Sequence, residues 1–288
     1  MEFQFEKEVR SDKEGLDQLA KLEEKSRELR SETLKLDFTQ TNFFDAHLCS
    51  GLGAVLTQVD KNSNKIQFEF GTEESKIENT LKRNAFMYPF GRGFLPDRYG
   101  TTIKYKKFKA DKPLEFKEYL TKHLFNLKDM PEMTEGSKKQ IFKSLIEVFN
   151  NPSLHAGCDH VFACGQYYPN EKHIDFCIAN LGRTIHENVK DYLGSDFSKI
   201  IDIKSLNTPI WWAIQEGNTT RRGLHPGGFG LSVLKKFLGK TGGRLQICSK
   251  NEFWQEYWDI EPSAKRVSHL SSSIKGTIVI LRFQVTNS

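Results

Sequence analysis

The sequence predicts an α/β protein made of two units, residues 1–90 and residues 101–288. Three observations support this prediction. Strand-like and helix-like hydrophobic patterns alternate along residues 30–90, a stretch rich in Gly and Pro follows at residues 88–100, and strand and helix patterns resume after it. Alternation of strands and helices is typical of a sheet covered by helices. Because Gly and Pro favour turns and loops, residues 91–100 are predicted to link the two units.

The composition argues against several classes of protein. The chain has 288 residues and a net charge of +5, with both signs mixed along its length. Its longest basic run, residues 104–109, is interrupted by Tyr105 and Phe108, which indicates a strand with one solvated face and not a nucleic-acid-binding arm. No apolar stretch approaches the roughly 18 residues of a membrane span, and the N-terminus lacks the apolar core of a signal peptide. We therefore expect a cytoplasmic protein without nucleic-acid or membrane partners.

The cysteines give no sign of a metal site. The 5 cysteines are scattered along the chain without a CxxC pair or a Cys/His ligand spacing. A zinc site needs closely spaced Cys or His ligands, so the sequence predicts buried free thiols instead.

In the N-terminal unit, leucines at helical spacing among charged residues predict an amphipathic helix over residues 11–30. The patterns that follow predict, in order, a strand over 34–38, a helix over 48–59, a strand over 66–70 and a helix opened by residues 72–75. Asp45 or Asn42 is expected to cap the helix over 48–59. The β-α-β-α order predicts a parallel pair of strands with covering helices.

In the C-terminal unit, the patterns predict a strand over residues 101–108, a helix led by Asp111 and Pro113, and a longer helix over residues 138–155. Further along, residues 226–232 hold three glycines and precede an apolar pattern of helical spacing. The backbone N–H groups of such a loop lie at the positive end of a helix, where a phosphate is stabilised. A tight connection without a ligand is the simpler alternative.

The helix over residues 138–155 carries a polar pair whose side chains suit metal-dependent phosphate chemistry. Its apolar stripe consists of Phe142, Leu145, Ile146 and Phe149. Glu147 and Asn151 lie one turn apart on the opposite face. An amide oxygen is a hard ligand that suits Mg²⁺, and a carboxylate can take a proton from a group that attacks a phosphate. Because Ser144 and Gln140 share this face, a solvated polar surface is the alternative.

Five stretches in order resemble the motifs of the GHKL ATPases, the family of gyrase, Hsp90, histidine kinases and MutL. Residues 147–156 look like the N-box, residues 174–185 like the adenine-binding G1 box, and residues 226–232 like the G2 box that closes over the phosphates. Residues 242–249 match the strand that follows G2, and residues 276–283 match the terminal strand. The resemblance covers the chain from about residue 101 to its end.

The resemblance implies a Bergerat-type α/β sandwich, with helices on one face of a mixed sheet and ATP between them. It implies that Glu147 is the general base, that Asn151 holds Mg²⁺, and that residues 217–227 form a lid. Gly182 would let the chain pass beneath the base. The other nucleotide contacts that it implies are His155, Asn180, Thr184, Thr220, Arg221, Gly227, Gly228, Gly230, Leu231 and Thr277.

Two positions depart from the family pattern. Asn180 stands where the family has an aspartate that accepts a hydrogen bond from the adenine amino group; an amide oxygen can still accept that bond, and its NH₂ group could face N1 of the ring. Pro152 directly follows Asn151 and is expected to push it from ideal helical geometry, which leaves Asn150 as an alternative metal ligand. A degenerate nucleotide site therefore remains open.

Residues 30–90 resemble a sulphate-transporter and anti-sigma antagonist (STAS) domain in their β-α-β-α pattern and in the turn over residues 43–56. STAS domains of partner-switching pathways carry a phosphorylatable Ser or Thr at this turn. Ser50 is the hydroxyl in a comparable place, and an ordinary small helix residue is the alternative.

Together the two resemblances imply a bacterial ATP-binding regulator, either a serine kinase or an ATP-gated switch, that acts on a STAS-like partner or on its own N-terminal unit. The alternative is a catalytically degenerate nucleotide-binding module that signals by lid closure without turnover. We do not expect a sensor histidine kinase, because no phosphoacceptor helix is predicted upstream. A gyrase-type or MutL-type motor ranks last, because no transducer domain is expected; a homodimer is left open.

Overall fold

The structure, a computed structural model, describes residues 1–71, 75–128, 130–155, 158–202, 208–220, 230–256 and 266–285, with the backbone alone for residues 152–155. The helices are α1 (Lys13–Ser26), α2 (Cys49–Lys61), α3 (Lys76–Arg83), α4 (Pro113–Tyr119), α5 (Glu135–His155), α6 (Ile185–Leu193), α7 (Phe197–Ile200), α8 (Pro209–Ala213) and α9 (Gly230–Lys240). The strands are β1 (Glu2–Gln4), β2 (Glu8–Val9), β3 (Thr33–Asp37), β4 (Phe43–Phe44), β5 (Lys65–Glu69), β6 (Thr102–Lys109), β7 (His160–Tyr168), β8 (His173–Asn180), β9 (Arg244–Glu256) and β10 (Val267–Gln284). The protein is therefore of the α/β class, as predicted.

The N-terminal unit contains a three-stranded sheet in the order β1-β3-β5. Both strand pairs are parallel, with Leu36 of β3 opposite Phe3 and Phe68. The parallel β3–β5 pair, with α2 between the strands in the chain and α3 after them, confirms the predicted β-α-β-α order. Strand β1 was not predicted, because three residues are too few for a reliable alternating pattern.

Neither Asp45 nor Asn42 caps α2, contrary to the prediction. A 3₁₀ turn, Ala46–Leu48, leads into α2 without a side-chain cap. The Asp45 carboxylate instead accepts hydrogen bonds from the Ser11 N–H at 2.6 Å and the Tyr168 hydroxyl at 2.9 Å. Asp45 thus joins the chain just before α1 to β7, and these partners lie too far along the sequence for a local capping pattern to reveal.

The C-terminal unit contains a five-stranded sheet in the order β6-β7-β8-β10-β9. Every neighbouring pair in it is antiparallel. The resemblance implied a mixed sheet, and this prediction is wrong for the described strands. The reason is the position of β10, which lies between β8 and β9 and runs opposite to both.

Successive residues of β8 and β10 point to opposite faces of this sheet, as in any β-strand. Cys177 and Ile280 belong to a core that is shared with α1, α2 and the N-terminal sheet; we call this side the N-terminal face. Ile178 and Val279 belong to a second core with α4, α5 and α9; we call this side the C-terminal face. Helices therefore cover both faces, whereas the resemblance implied helices on one.

The two units pack directly against each other. Residues 91–100, the predicted linker, form neither helix nor strand. The rings of Phe86 and Tyr105, on either side of this segment, lie 5.0 Å apart. Helix α2 lies so close to β10 that a Cβ placed on Gly51 would be 2.9 Å from Ile278 Cδ1. The N-terminal unit therefore contributes one layer of a common core.

Ser50 and most of the cysteines lie inside this core. Ser50 is fully buried, and its hydroxyl donates a hydrogen bond of 3.1 Å to the Cys177 carbonyl, which joins α2 to β8. The thiols are free, as predicted; Cys158 is partly exposed, and the others are buried. Among the helices that the structure describes, none combines the length and the apolar character that crossing a membrane requires.

Candidate functional site

A cleft opens on the C-terminal face of the five-stranded sheet. Residues of α5 and α9 line one part of it, and residues of α6 and α8 line another. Ile178 of β8 and Val279 of β10, which are paired in the sheet, contribute apolar surface from below. The space between the walls is about 890 Å³ including the open mouth.

Glu147 and Asn151 of α5 both line the cleft beside the beginning of α9. Glu147 packs against Gly230, the first residue of α9, since a Cβ placed on Gly230 would be 3.1 Å from both Cβ and Cδ of Glu147. A glycine at this position therefore lets α5 and α9 approach each other closely. The start of α9 brings the positive end of a helix to the cleft, which favours a bound anion.

The buried side of α5 is shifted around the helix from the predicted stripe. Ser144, which was assigned to the polar face, is 4% exposed, whereas Phe142 and Ile146 of the predicted stripe are only half-buried. The reason is that α5 packs against α9 as well as against the sheet. The helical pattern of one segment does not show on which side a second element will pack. The backbone of α5 also continues as a helix through Pro152 to His155, so Pro152 does not end it.

The end of β8 and the middle of β10 supply polar groups to the cleft, and a relay of hydrogen bonds connects β10 to the start of α6. Asn180 and Thr277 are opposite each other in the sheet and both line the cleft. The Asn180 Oδ1 accepts a hydrogen bond from the Gly182 N–H at 3.2 Å. The Thr277 hydroxyl lies 3.2 Å from the Ser249 Oγ, which accepts from the Ile185 N–H at 2.9 Å. This relay fixes the start of α6 relative to both strands.

Comparisons with known proteins identify no family. No protein-family model matches the sequence, and no match was found among curated proteins. Function is therefore inferred from the residues of the cleft.

The cleft brings together residues from separate motifs that were predicted as site residues. These are Glu147, Asn151, Asn180, Thr220, Gly230, Leu231 and Thr277. Gly182 and Thr184 are not among the lining residues; Gly182 binds the Asn180 side chain, and the Thr184 Oγ1 accepts from the Glu187 N–H as the N-cap of α6. Arg221, Gly227, Gly228 and the side chain of His155 lie outside the described residues. That these side chains bind a nucleotide stays a prediction.

An apolar wall formed by α6 and α8 completes the cleft, and the sequence did not predict it. Its side chains are Ile185, Val189, Trp212 and Ala213. Val189 and Trp212 also pack together in a small core of their own, with Ile201. A signal was present, since Thr208 and Pro209 are a typical N-cap and first residue of a helix. Five residues are, however, too few for a helical pattern to show which side chain faces a ligand.

Further polar side chains line the cleft. Arg183 and Asn188 were not predicted as site residues, and Asn218 and Thr219 belong to the segment predicted as a lid, residues 217–227. Arg183 pairs with Asp191 across the first turns of α6. Asn218 donates a hydrogen bond of 2.9 Å to the Trp212 carbonyl and so holds the segment after α8 in place. Both contacts join residues that are close in the sequence, but no sequence motif marks them.

A buried carboxylate anchors α8. Glu252 of β9 is 6% exposed, and it accepts hydrogen bonds from the Thr208 hydroxyl and from the backbone N–H of Ile210. Burial raises the pKa of Glu252 to about 7, although both hydrogen bonds act in the opposite direction. Because Thr208 is also the N-cap of α8, Glu252 positions the helix that carries Trp212.

A second buried carboxylate lies on the N-terminal face. Asp175 of β8 is 1% exposed and binds Arg282 of β10 through two hydrogen bonds of 2.8 Å. Its Oδ2 lies 3.4 Å from the His173 Nε2 and 3.8 Å from the His47 Nδ1. Burial acts to raise the pKa of Asp175, but His47, His173 and Arg282 together hold it well below its usual range. His173 is thus buried beside Asp175.

Proposed function

We propose that this protein is an ATP-binding regulator of the GHKL class, in which the cleft on the C-terminal face takes a purine nucleoside triphosphate together with Mg²⁺. One observation carries the proposal. Glu147, Asn180 and Gly230 belong to three separate motifs of the sequence, and all three line the same cleft.

The chemistry of the cleft supports a nucleotide as ligand. Apolar side chains such as Ile185 and Trp212 offer surface for a planar base, and Asn180 and Thr277 offer polar contacts beside it. The beginning of α9 at Gly230 offers the positive end of a helix for phosphates. A ligand with a flat apolar body, polar ring edges and an anionic tail fits this distribution.

The α5 pair supports a role for Mg²⁺. Mg²⁺ commonly keeps several waters and takes only one or two protein ligands besides the phosphates of its substrate. Asn151 supplies an amide oxygen for this purpose, with Asn150 as the alternative. Glu147, one turn away, supplies a carboxylate that would orient and deprotonate an attacking water or hydroxyl.

Two uses of the nucleotide remain, and Ser50 bears on both. If the protein is a serine kinase, its acceptor is more accessible than Ser50, which is fully buried. A separate STAS-like protein then becomes the preferred partner. If the protein is instead a nucleotide-gated module, binding alone would act on a partner through the segment after Gly217. The buried Ser50 and the amide at position 180 favour this second candidate.

Binding is tested by titrating the purified chain with ATP and ADP, with and without Mg²⁺, by calorimetry. We expect saturable binding of ATP that Mg²⁺ strengthens and that Asn151→Ala makes insensitive to Mg²⁺. Gly230→Ala is expected to weaken it, because the added Cβ would push Glu147 and the start of α9 apart. Glu24→Gln, at an exposed position of α1, is the control and should bind like the wild type. Absence of saturable binding would overturn the proposal.

Turnover is tested with labelled ATP, Mg²⁺ and an added STAS-domain protein. Release of phosphate or its transfer to protein, lost in Glu147→Gln while binding of ATP persists, would support an enzyme. Binding of ATP without any release or transfer would support the nucleotide-gated module.

A further inference from the structure

A second cavity lies on the N-terminal face of the five-stranded sheet, where the two units meet. Residues of β7, β8, β9 and β10 line one side of it, and the segments that precede α1 and α2 line the other. The space is about 510 Å³ including the open mouth. Three arginines and three carboxylates line it: Arg10, Arg244, Arg282, Asp12, Asp45 and Glu171. Positive and negative side chains are thus equally numerous around one space.

Two of the arginines are neighbours on the sheet. Arg244 of β9 and Arg282 of β10 are directly opposite each other on antiparallel strands, so their side chains share the N-terminal face. Like charges in this position repel each other. Asp175 binds Arg282 from the other neighbouring strand, β8. An anionic group bound beside the two arginines would reduce the repulsion further.

The arginines have hydrogen-bond donors to offer a ligand. Arg282 uses Nε and Nη2 to bind the two oxygens of Asp175. Its Nη1 has no acceptor in the part of the chain that the structure describes, although the side chain is only 22% exposed. Arg10 binds Glu8 through Nε and stacks on the ring of Phe43, which leaves its two Nη groups for other contacts. Guanidinium groups bind carboxylates through paired hydrogen bonds.

The carboxylates offer acceptors at the same cavity. Asp12 is the N-cap of α1, and its Oδ1 accepts a hydrogen bond of 2.9 Å from the Gly15 N–H. Among the described residues, no donor contacts its Oδ2. Both oxygens of Asp45 already accept hydrogen bonds, and Glu171 is 64% exposed at the mouth. Asp12 is therefore the carboxylate with an oxygen available to a cationic group.

We propose that this cavity binds a small zwitterion of the amino-acid class, with the carboxylate of the ligand at Arg244 and Arg282 and its ammonium group at Asp12. A ligand that is only an anion would be repelled by the three carboxylates, and one that is only a cation by the three arginines. A zwitterion meets the opposite charge at both of its ends. This site is separate from the nucleotide cleft, and the inference does not depend on the proposed nucleotide function.

The ligand would connect the two units, because Asp12 belongs to the N-terminal unit and the two arginines to the C-terminal sheet. A ligand that binds only the folded chain raises the melting temperature. Glycine, L-alanine and 4-aminobutyrate are suitable probes, since they carry both charges at different spacings. Acetate and ethylamine carry one charge each and are the matched controls.

The test is thermal unfolding of the full chain at pH 7 and constant ionic strength. For a dissociation constant of about 1 mM, at least one zwitterion at about 20 mM should raise the melting temperature by about 2–4 °C. Acetate and ethylamine should raise it by less than half as much. Asp12→Asn should lose the response to the zwitterion, because it keeps an N-cap residue but not the charge. Asp111→Asn, at an exposed position before α4, should respond like the wild type.

The outcomes that contradict the proposal are distinct. If none of the three zwitterions raises the melting temperature, the cavity is not a zwitterion site. If acetate or ethylamine alone is as effective as the best zwitterion, the cavity binds a simple ion and the proposal falls. An unchanged response in a folded Asp12→Asn would overturn the role of Asp12. Should that variant fail to fold, the wild-type comparison still decides, and Arg244→Gln should lose the response as well.

Discussion

The two faces of the five-stranded sheet are built from neighbouring residues of the same strands, yet helices cover them differently. On the N-terminal face, α1 and α2 pack directly on β8 and β10, and Gly51 lets α2 approach Ile278 closely. On the C-terminal face, α5 and α9 pack together, and α6 and α8 pack together, with the cleft between the two pairs. The gap between the helix pairs therefore leaves room for a ligand above Ile178 and Val279, whereas on the N-terminal face α1 and α2 cover Cys177 and Ile280 with apolar side chains.

The buried carboxylates of the two faces also differ, in the direction of their pKa shifts. Asp175, on the N-terminal face, is paired with Arg282, and its pKa is held well below the usual range. Glu252, which contacts α8 on the C-terminal face, accepts hydrogen bonds from neutral groups, and burial raises its pKa to about 7. The first carboxylate is kept ionised by its neighbours, and the second favours its protonated form.

The largest effect on stability is expected from Arg282→Met, because it leaves the Asp175 carboxylate buried without its guanidinium partner. Removal of one member of a buried ion pair costs about 3–5 kcal/mol. Urea denaturation at pH 7 measures the free energy of unfolding. Arg10→Met removes an ion pair that lies at the surface, with Glu8, and should change little. A loss of less than about 1 kcal/mol in Arg282→Met would contradict the stabilising role assigned to this pair.

The next prediction compares the two faces of the sheet by substituting adjacent residues of β10, Ile280 and Val279. Ile280→Ala removes side-chain volume from the N-terminal face and should cost about 2–5 kcal/mol while the affinity for ATP stays the same. Val279→Ala removes two methyl groups from the cleft side, which should cost about 1.5 kcal/mol at about 0.8 kcal/mol per group, and should weaken ATP binding. Urea denaturation and calorimetric titration measure both quantities. If Ile280→Ala weakened ATP binding as much as Val279→Ala does, the two faces would not be functionally distinct.

The third effect follows from the raised pKa of Glu252. The unfolded chain loses this proton at about pH 4.5 and the folded chain at about pH 7, so the contribution of Glu252 to stability is highest below pH 4.5 and falls as the pH rises to 7. At about 1.4 kcal/mol per pKa unit, the total loss is about 3 kcal/mol. Glu252→Gln should remove this dependence, so the difference in unfolding free energy between variant and wild type should change between pH 5 and pH 8.

The pKa of Asp175 is shifted in the opposite direction, so the pH dependence of stability distinguishes the two carboxylates. Since its folded pKa is depressed, its contribution is present above the unfolded value of about 3.9 and is lost as the pH falls below that value. This window does not overlap with that of Glu252. A wild-type protein whose difference from Glu252→Gln stayed constant from pH 5 to pH 8 would show that Glu252 titrates normally.

The sequence by itself determined the elements with a strong period and the nature of the polar groups. The helical period of α1, the alternating strands β3 and β5, and the polar pair Glu147 and Asn151 could all be identified from local patterns, because side-chain direction repeats along one helix or strand. The parallel β3–β5 pair could be predicted from the strand-helix-strand order, because a helix between two strands returns the chain to the end of the sheet at which the first strand began.

Only the tertiary structure decided the environment of these groups. The direction of β10 between β8 and β9, the packing of α5 against α9, and the apolar wall with Trp212 all depend on contacts between distant parts of the chain. A local pattern records which side chains share a face, but packing against the rest of the protein decides what that face meets, and therefore which side chains remain available to a ligand.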